Sequence, residues 1–448
     1  MAQIAVRTHA PRRVTTHPTT VGAYGPGGRP ASATSKPRQL QALTGLRAVA
    51  ALLVVMFHFL TIHVAAGSGA WHAVTQLGAN VVASGYTGVS FFFLLSGFIL
   101  AYTYTDVRGG VRGTARAFWQ ARFARVYPVF ALATILGLVL YAKAGVWHEQ
   151  FCVGPRPSWT LTGVHPVIAA VVSFLMVQAW TPCAMTWNAP AWSLSVEAFF
   201  YLLFPLIALG VVRLGRRSLL AAIAVCWALI VATALAYNVF SLDASALHVA
   251  WWHRFWTWTL YANPVARLPE FVIGVALGRL FLTRGDARPW TGLLAPRRLS
   301  VLAAVGVAAL WCVGPLGLIF YNQILIDPLY ALLIYSIAFG EGPVAVLFAV
   351  PAAVLLGEGS YALYILHWPL MGWVRQVLPP VRVGVPGYVA PSTVYFLIYL
   401  CVVIAAALAS YRFLERPARR AINGAFSRGR DGALDRVRAR GLSAAGRE

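Results

Sequence analysis

Leu43-Thr44-Gly45-Leu46-Arg47-Ala48-Val49-Ala50-Ala51-Leu52-Leu53-Val54-Val55-Met56-Phe57-His58-Phe59-Leu60 is a near-continuous apolar run in which only Arg47 and His58 are titratable. Crossing the hydrocarbon core of a bilayer takes about 20 apolar residues in a helix. Further runs of that kind begin near Tyr86, Phe123, Trp192, Leu219, Pro264, Leu299, Asp327, Ser360 and Pro391, and a shorter one lies between Val164 and Trp180. Hydrophobic residues make up 59% of the 448-residue chain and charged ones 11%. A soluble domain carries about 25% charged residues, so an ordinary soluble enzyme is excluded, as is disorder over most of the chain.

The charge balance, 36 Lys plus Arg against 13 Asp plus Glu, does not indicate a nucleic-acid partner. The basic residues crowd the two ends and short connectors: Arg108, Arg112, Arg116, Arg122 and Arg125, then Arg213, Arg216 and Arg217, then Arg284, Arg288, Arg297 and Arg298, then the run from Arg412. That is the distribution of cytoplasmic loops between spans. With every cluster in the cytoplasm, an even number of crossings must separate Arg125 from Arg213. The runs from Phe123 and Trp192 supply two, so 164–180 must begin and end outside. The expected fold is an all-α polytopic membrane protein with about ten transmembrane helices plus one re-entrant or surface helix. Both termini are expected in the cytoplasm, and the plasma membrane is the expected location.

Residues 1–40, with Pro26-Gly27-Gly28-Arg29-Pro30, read as a disordered basic cytoplasmic tail. No apolar stretch precedes Leu43, so a cleaved leader is not expected. Residues 41–417 read as the membrane domain and 418–448 as a second basic cytoplasmic tail. Cys152 and Cys183 fall on the extracytoplasmic side in this topology, where a disulfide is allowed; two unpaired thiols fit equally well. No Cys/His cluster with metal-ligand spacing appears, so no metal is expected.

Titratable groups inside spans are expensive and mark candidate sites. Arg47 and His58 are eleven positions apart, which at about 100° per residue puts them within about 20° of one face and roughly 16 Å apart along the axis. Histidine is the natural general base near neutral pH; a packing histidine bonded to a neighbouring helix is the plainer alternative. Arg122 and Arg125, three apart, share a helix face and suit phosphate, which guanidinium grips bidentately, or else they anchor topology. Glu197, after Trp192-Ser193-Leu194-Ser195-Val196, can orient a sugar hydroxyl or pair with an arginine such as Arg267. His367 is a further intramembrane histidine without an assigned role. Ser193 and Ser195 stand in no GxSxG elbow, which argues against a serine triad.

The ordered set of motifs resembles the acyltransferase-3 family of integral-membrane O-acyltransferases from about Leu40 to Pro417. The set comprises Arg47 and His58 with ten residues between them, Gly88-Val89-Ser90-Phe91-Phe92-Phe93-Leu94-Leu95-Ser96-Gly97-Phe98, Arg122-Phe123-Ala124-Arg125-Val126-Tyr127-Pro128, and Trp192-Ser193-Leu194-Ser195-Val196-Glu197. It continues with Arg267-Leu268-Pro269-Glu270-Phe271, then Gly359-Ser360-Tyr361-Ala362-Leu363-Tyr364-Ile365-Leu366-His367-Trp368-Pro369, then Glu415-Arg416-Pro417. The resemblance makes residues 41–417 a membrane acyltransferase domain. It implies transfer of an acyl group, acetyl being the expected one, from cytoplasmic acyl-CoA to a hydroxyl of a cell-envelope glycan or lipid-linked sugar. It further implies His58 as the essential histidine with Arg47 as its partner, Arg122 and Arg125 as the basic pair for the donor, and Glu197 as the family's acid. Whether His58 acts as a direct base or carries the acyl group transiently stays open. The rival readings are a proton-coupled transporter or flippase using His58 and Glu197, a non-enzymatic assembly subunit, and an O-acyltransferase acting on a small secondary metabolite.

Overall fold

Apolar runs bounded by Gly, Pro and Arg favour helices in lipid, because only a helix bonds all its backbone groups within one segment. The computed structural model describes residues 38–60, 72–143, 166–181, 184–185, 187–246, 260–284, 291–314, 319–378, 393–422 and 424. Every named element among them is helical. In chain order they are α1 (Arg38–Leu60), α2 (His72–Ala83), α3 (Gly88–Tyr104), α4 (Ala115–Lys143), α5 (Pro166–Phe174), α6 (Trp192–Val211) and α7 (Arg216–Ala246). They continue as α8 (Pro264–Thr283), α9 (Pro296–Val313), α10 (Ile319–Ile337), α11 (Gly342–Phe348), α12 (Pro351–Glu358), α13 (Ser360–Val377) and α14 (Thr393–Ser410), the last prolonged by a π turn over Tyr411–Glu415.

Seven helical stretches among the described residues are long and apolar enough to cross a membrane: Leu40–Phe59, Gln76–Tyr104, Ala115–Lys143, Ala189–Val211, Arg216–Ala236, Pro296–Val313 and Val394–Ile422. An eighth is gained if Gln323–Ile337 and Gly342–Phe348, bent by 84° at their junction, form one broken span. Two of the ten runs, from Pro264 and from Ser360, form helices that are less apolar than these, and the reason is chemical. Helix α8 carries Arg267, Glu270 and Arg279, and α13 carries His367 and Arg375. Both bring polar groups to the interior, where Arg267, Glu270, Arg279 and His367 are all buried. The short run between Val164 and Trp180 is not among the helices long and apolar enough to cross. Its helix α5 has nine residues, about 13 Å of rise against about 30 Å of hydrocarbon. The chain then turns at Met176, a non-glycine residue at φ 57°.

Among the described residues the most extensively packed helix pair is α3 with α8. Gly274 and Gly278 lie four apart on one face of α8, opposite Gly97 of α3. A Cβ on Gly97 would overlap the carbonyl of Phe271, and one on Gly274 the carbonyl of Leu94. Without a hydrophobic drive between helices in lipid, such small residues allow the backbone contact that holds them together.

Prolines inside helices free a carbonyl four residues earlier, and three of these are met by side chains from elsewhere in the fold. Asn188 Nδ2 donates to Ile365 O at 2.9 Å, the carbonyl freed by Pro369. Trp119 Nε1 of α4 donates to Tyr201 O at 3.0 Å beneath Pro205. Trp227 Nε1 of α7 donates to Ile324 O at 3.1 Å beneath Pro328. Each bond supplies a partner that water cannot supply in the hydrocarbon region. At one end of the bundle Arg279 donates to the carbonyls of Asp106 and Val212, tying two connectors to α8. Outside the spans, the Gly110 N–H at 2.8 Å from Asp106 Oδ1 holds that carboxyl below its ordinary range. Cys152, Cys183, residues 1–37 and residues 425–448 lie outside the described residues.

Candidate active site

Helix α1 carries Arg47 and His58 as one stripe, as their spacing predicts. His58 is in the last turn of the helix and is half-buried. Its Nδ1 sits 2.9 Å from Val54 O and 3.2 Å from Nε2 of His367 on α13. The two rings are 5.0 Å apart between centroids, and the ring of Trp368 stands edge-on to His58 at 5.5 Å. No described residue bonds Nε2 of His58. His367 is wholly buried, with its Nδ1 2.6 Å from Tyr364 O and its own carbonyl accepting from Tyr399 OH at 3.1 Å. The sequence reading left His367 without a role. The two histidines are 309 positions apart, and nothing in the spacing along the chain points from one to the other.

The arginines gather on a second centre. Arg47 lies within electrostatic reach of Arg125, Glu415, Glu197 and Tyr201, and Tyr201 in turn feels both Arg122 and Arg125. Arg122 stands among rings, its guanidinium carbon 5.6 Å from the centroid of Tyr104, 5.9 Å from Phe118 and 6.0 Å from Tyr201. It also donates to Tyr104 OH at 3.3 Å. Glu197 accepts from Tyr201 OH, one turn on along α6, and from Ser96 Oγ at 3.2 Å. A cleft of about 180 Å³ opens between α4 and α6, with Arg122 and Glu197 on its wall beside Phe123, Tyr127 and Met176. Arg47, Arg122 and Arg125 thus outnumber Glu197 and Glu415, a net positive group suited to an anion. Glu197 sits with these arginines, and no described contact joins it to His58.

Arg267 does not pair with Glu197. Its Nη1 is 2.7 Å from Glu270 Oε1, three residues on along α8. The guanidinium is enclosed by the rings of Phe93, Trp192 and Tyr261 at 5.3, 5.9 and 5.3 Å. Gln323 Nε2 and Ser90 Oγ also donate to Glu270 Oε1, at 3.3 and 3.4 Å. The burial of these side chains, with Asp327 beside them, makes the cluster part of the core rather than of the arginine group. Among the described residues no three His, Cys, Asp or Glu side chains are grouped to hold a metal ion.

The chain is 29% identical over 397 residues to the acyltransferase MdmB of Streptomyces mycarofaciens, covering 85% of this chain and 92% of that protein. It is 27% identical over 354 residues to the exopolysaccharide production protein ExoZ of Rhizobium meliloti, covering 78% of this chain and 94% of that one. A putative O-acetyltransferase of Staphylococcus aureus (strain COL) is 24% identical over 404 residues, and the match spans 86% of this chain but 58% of the staphylococcal protein. No solved structure matches. The acyltransferase-3 profile, described as an acyltransferase domain, matches residues 40–412. That match runs from the first turn of α1 through the whole helical bundle, and by it the chain belongs to the acyltransferase-3 family of integral-membrane O-acyltransferases.

Proposed function

We propose that this acyltransferase moves an acyl group, acetyl being the expected one, from acyl-CoA to a hydroxyl of a cell-envelope glycan or lipid-linked sugar, with His58 as the base. The observation that carries the reading is the state of the His58 ring, whose Nδ1 is occupied by Val54 O and His367 while Nε2 has no bond among the described residues. In the proposed reaction Nε2 takes the proton of the acceptor hydroxyl as its oxygen attacks the thioester carbonyl carbon. The C–S bond breaks, and the departing thiolate recovers the proton from the imidazolium. General-base help of this kind is typically worth 10²–10⁴ in rate. A transient acyl-histidine, formed by Nε2 attacking the thioester first, uses the same free nitrogen.

Arg122, Arg125 and Arg47 are the proposed seat of the CoA phosphates, because fork-shaped, weakly hydrated guanidinium binds phosphate oxygens bidentately. Arg47 and His58 share α1, so a donor held at the arginines reaches toward His58 along one helix face. Glu197, bonded to Tyr201 and set among the arginines, keeps the basic group in place rather than assisting His58 directly. The ExoZ name, an exopolysaccharide production protein, supports a glycan as acceptor. The proposed setting is the plasma membrane with both termini in the cytoplasm, where CoA is available. Mass spectrometry of envelope glycans from cells with and without the protein tests the acceptor. An acyl mass increment that depends on the protein supports the reading, and unchanged glycans with acylated small metabolites would replace it.

A further inference from the structure

Both carbonyls next to the histidine pair can only accept hydrogen bonds, and the protons are assigned from this. Tyr364 O lies 2.6 Å from Nδ1 of His367, so that nitrogen carries the hydrogen and Nε2 of His367 carries a lone pair. Nδ1 of His58 faces Val54 O at 2.9 Å and that lone pair at 3.2 Å. Two acceptors converge on it, so the His58 hydrogen is on Nδ1 and its Nε2 is left with a lone pair. We propose that His367 is a positioning residue for His58, holding its ring and its tautomer so that Nε2 is the basic atom at the reaction site. This inference rests on the reading of His58 as the base.

The direction of the relay is set by burial. His367 is wholly buried with both ring nitrogens engaged, whereas His58 is half-buried with one nitrogen unbonded. Only His58 can meet a substrate. In many enzymes a carboxylate holds a catalytic histidine in its tautomer, but a second ionised group deep in a span is costly. A neutral imidazole supplies the same acceptor without a charge. The backbone of His367 is itself secured. Its carbonyl accepts from Tyr399 OH at 3.1 Å, and the helix around Pro369 is completed by the Asn188 bond to Ile365 O. When His58 takes the substrate proton on Nε2, the cation that forms keeps its Nδ1 hydrogen on His367, which stabilises it where it is generated.

The test compares purified wild type, His367→Leu, His367→Gln, His367→Asn and His58→Ala for kcat, donor KM and melting temperature. Glutamine places an acceptor oxygen near the former Nε2; asparagine can reach only the former Nδ1 position; leucine has no acceptor. The expected result is a kcat loss of roughly tenfold to a hundredfold in His367→Leu and His367→Asn, an unchanged donor KM, and recovery in His367→Gln. A wild-type kcat in His367→Leu overturns the proposal, as does an equal loss in Gln and Leu. If His367→Leu does not fold, Gln active with Asn inactive upholds it, and Gln as inactive as Asn overturns it. His58→Ala separates the two claims. Full activity there removes the base reading itself, while an inactive His58→Ala beside a normal His367→Leu removes only the role given to His367.

Discussion

The Arg267 guanidinium lies 2.7 Å from the Glu270 carboxylate, and both side chains are 2% exposed. This ion pair is internal to α8 and is enclosed by Phe93, Trp192 and Tyr261. Removing one member leaves the other as a lone buried charge, which costs about 3–5 kcal/mol. Arg267→Leu and Glu270→Leu are each expected to melt well below wild type in detergent. The double variant should recover only part of the loss, because the buried Asp327 carboxyl stays behind without the Arg267 cation. A single variant that melts at the wild-type temperature would show that the pair is not structural.

Asn188 is expected to matter for the shape of α13 rather than for chemistry. Asn188→Ala leaves Ile365 O unsatisfied in the interior, a cost of about 1–3 kcal/mol. The measurable consequences are a lower melting temperature and a reduced kcat, because His367 sits two residues beyond that carbonyl. Stability at the wild-type level would remove the assignment of this bond as the cap of the Pro369 break.

Much of the architecture was legible because single features decided it. The Arg47–His58 stripe needs only helical spacing, and the length of 164–180 with the parity of the arginine clusters already kept it from crossing. The partner of Glu197 was half legible: Tyr201 stands four residues on along the same helix, but Ser96 of α3 does not follow from any local rule. Arg267, one of the arginines the sequence offers as a partner for Glu197, pairs instead with Glu270, three residues away on its own helix. The runs from Pro264 and Ser360 stand apart from the most apolar helices for one physical reason, since polar residues that line an interior make a helix less apolar without removing it from the bundle. His367 could be identified as buried and titratable, but its meeting with His58 depends on how α1 and α13 pack, and no periodicity encodes that.

Topology gives an independent check. Cysteine introduced at positions 160 and 185 should be labelled from the same, extracytoplasmic side by a membrane-impermeant reagent, and tags at both termini should be reached only after permeabilisation. Labelling of 160 and 185 from opposite sides would require a crossing that the nine residues of α5 are too short to make.

The arginines should act on the donor. Charge-assisted hydrogen bonds contribute about 1.5–3 kcal/mol each, so Arg122→Ala or Arg125→Ala is expected to raise the KM for acyl-CoA about tenfold or more and to leave acceptor KM nearly unchanged. Lysine should restore only part, keeping the charge without the fork. At Arg122 it also forfeits stacking on Tyr104, Phe118 and Tyr201. Normal donor KM in well-inserted Arg125→Ala would return that residue to a topology anchor.

The central claim is acyl transfer from acyl-CoA with His58 as its base, and one measurement meets it directly. Purified wild type and His58→Ala, matched for insertion and melting temperature, are given isotopically labelled acetyl-CoA and an envelope glycan extract, and label on the glycan is followed with time. The account predicts steady transfer by wild type and a rate at least about a hundredfold lower for His58→Ala. Equal rates in the two proteins would contradict it.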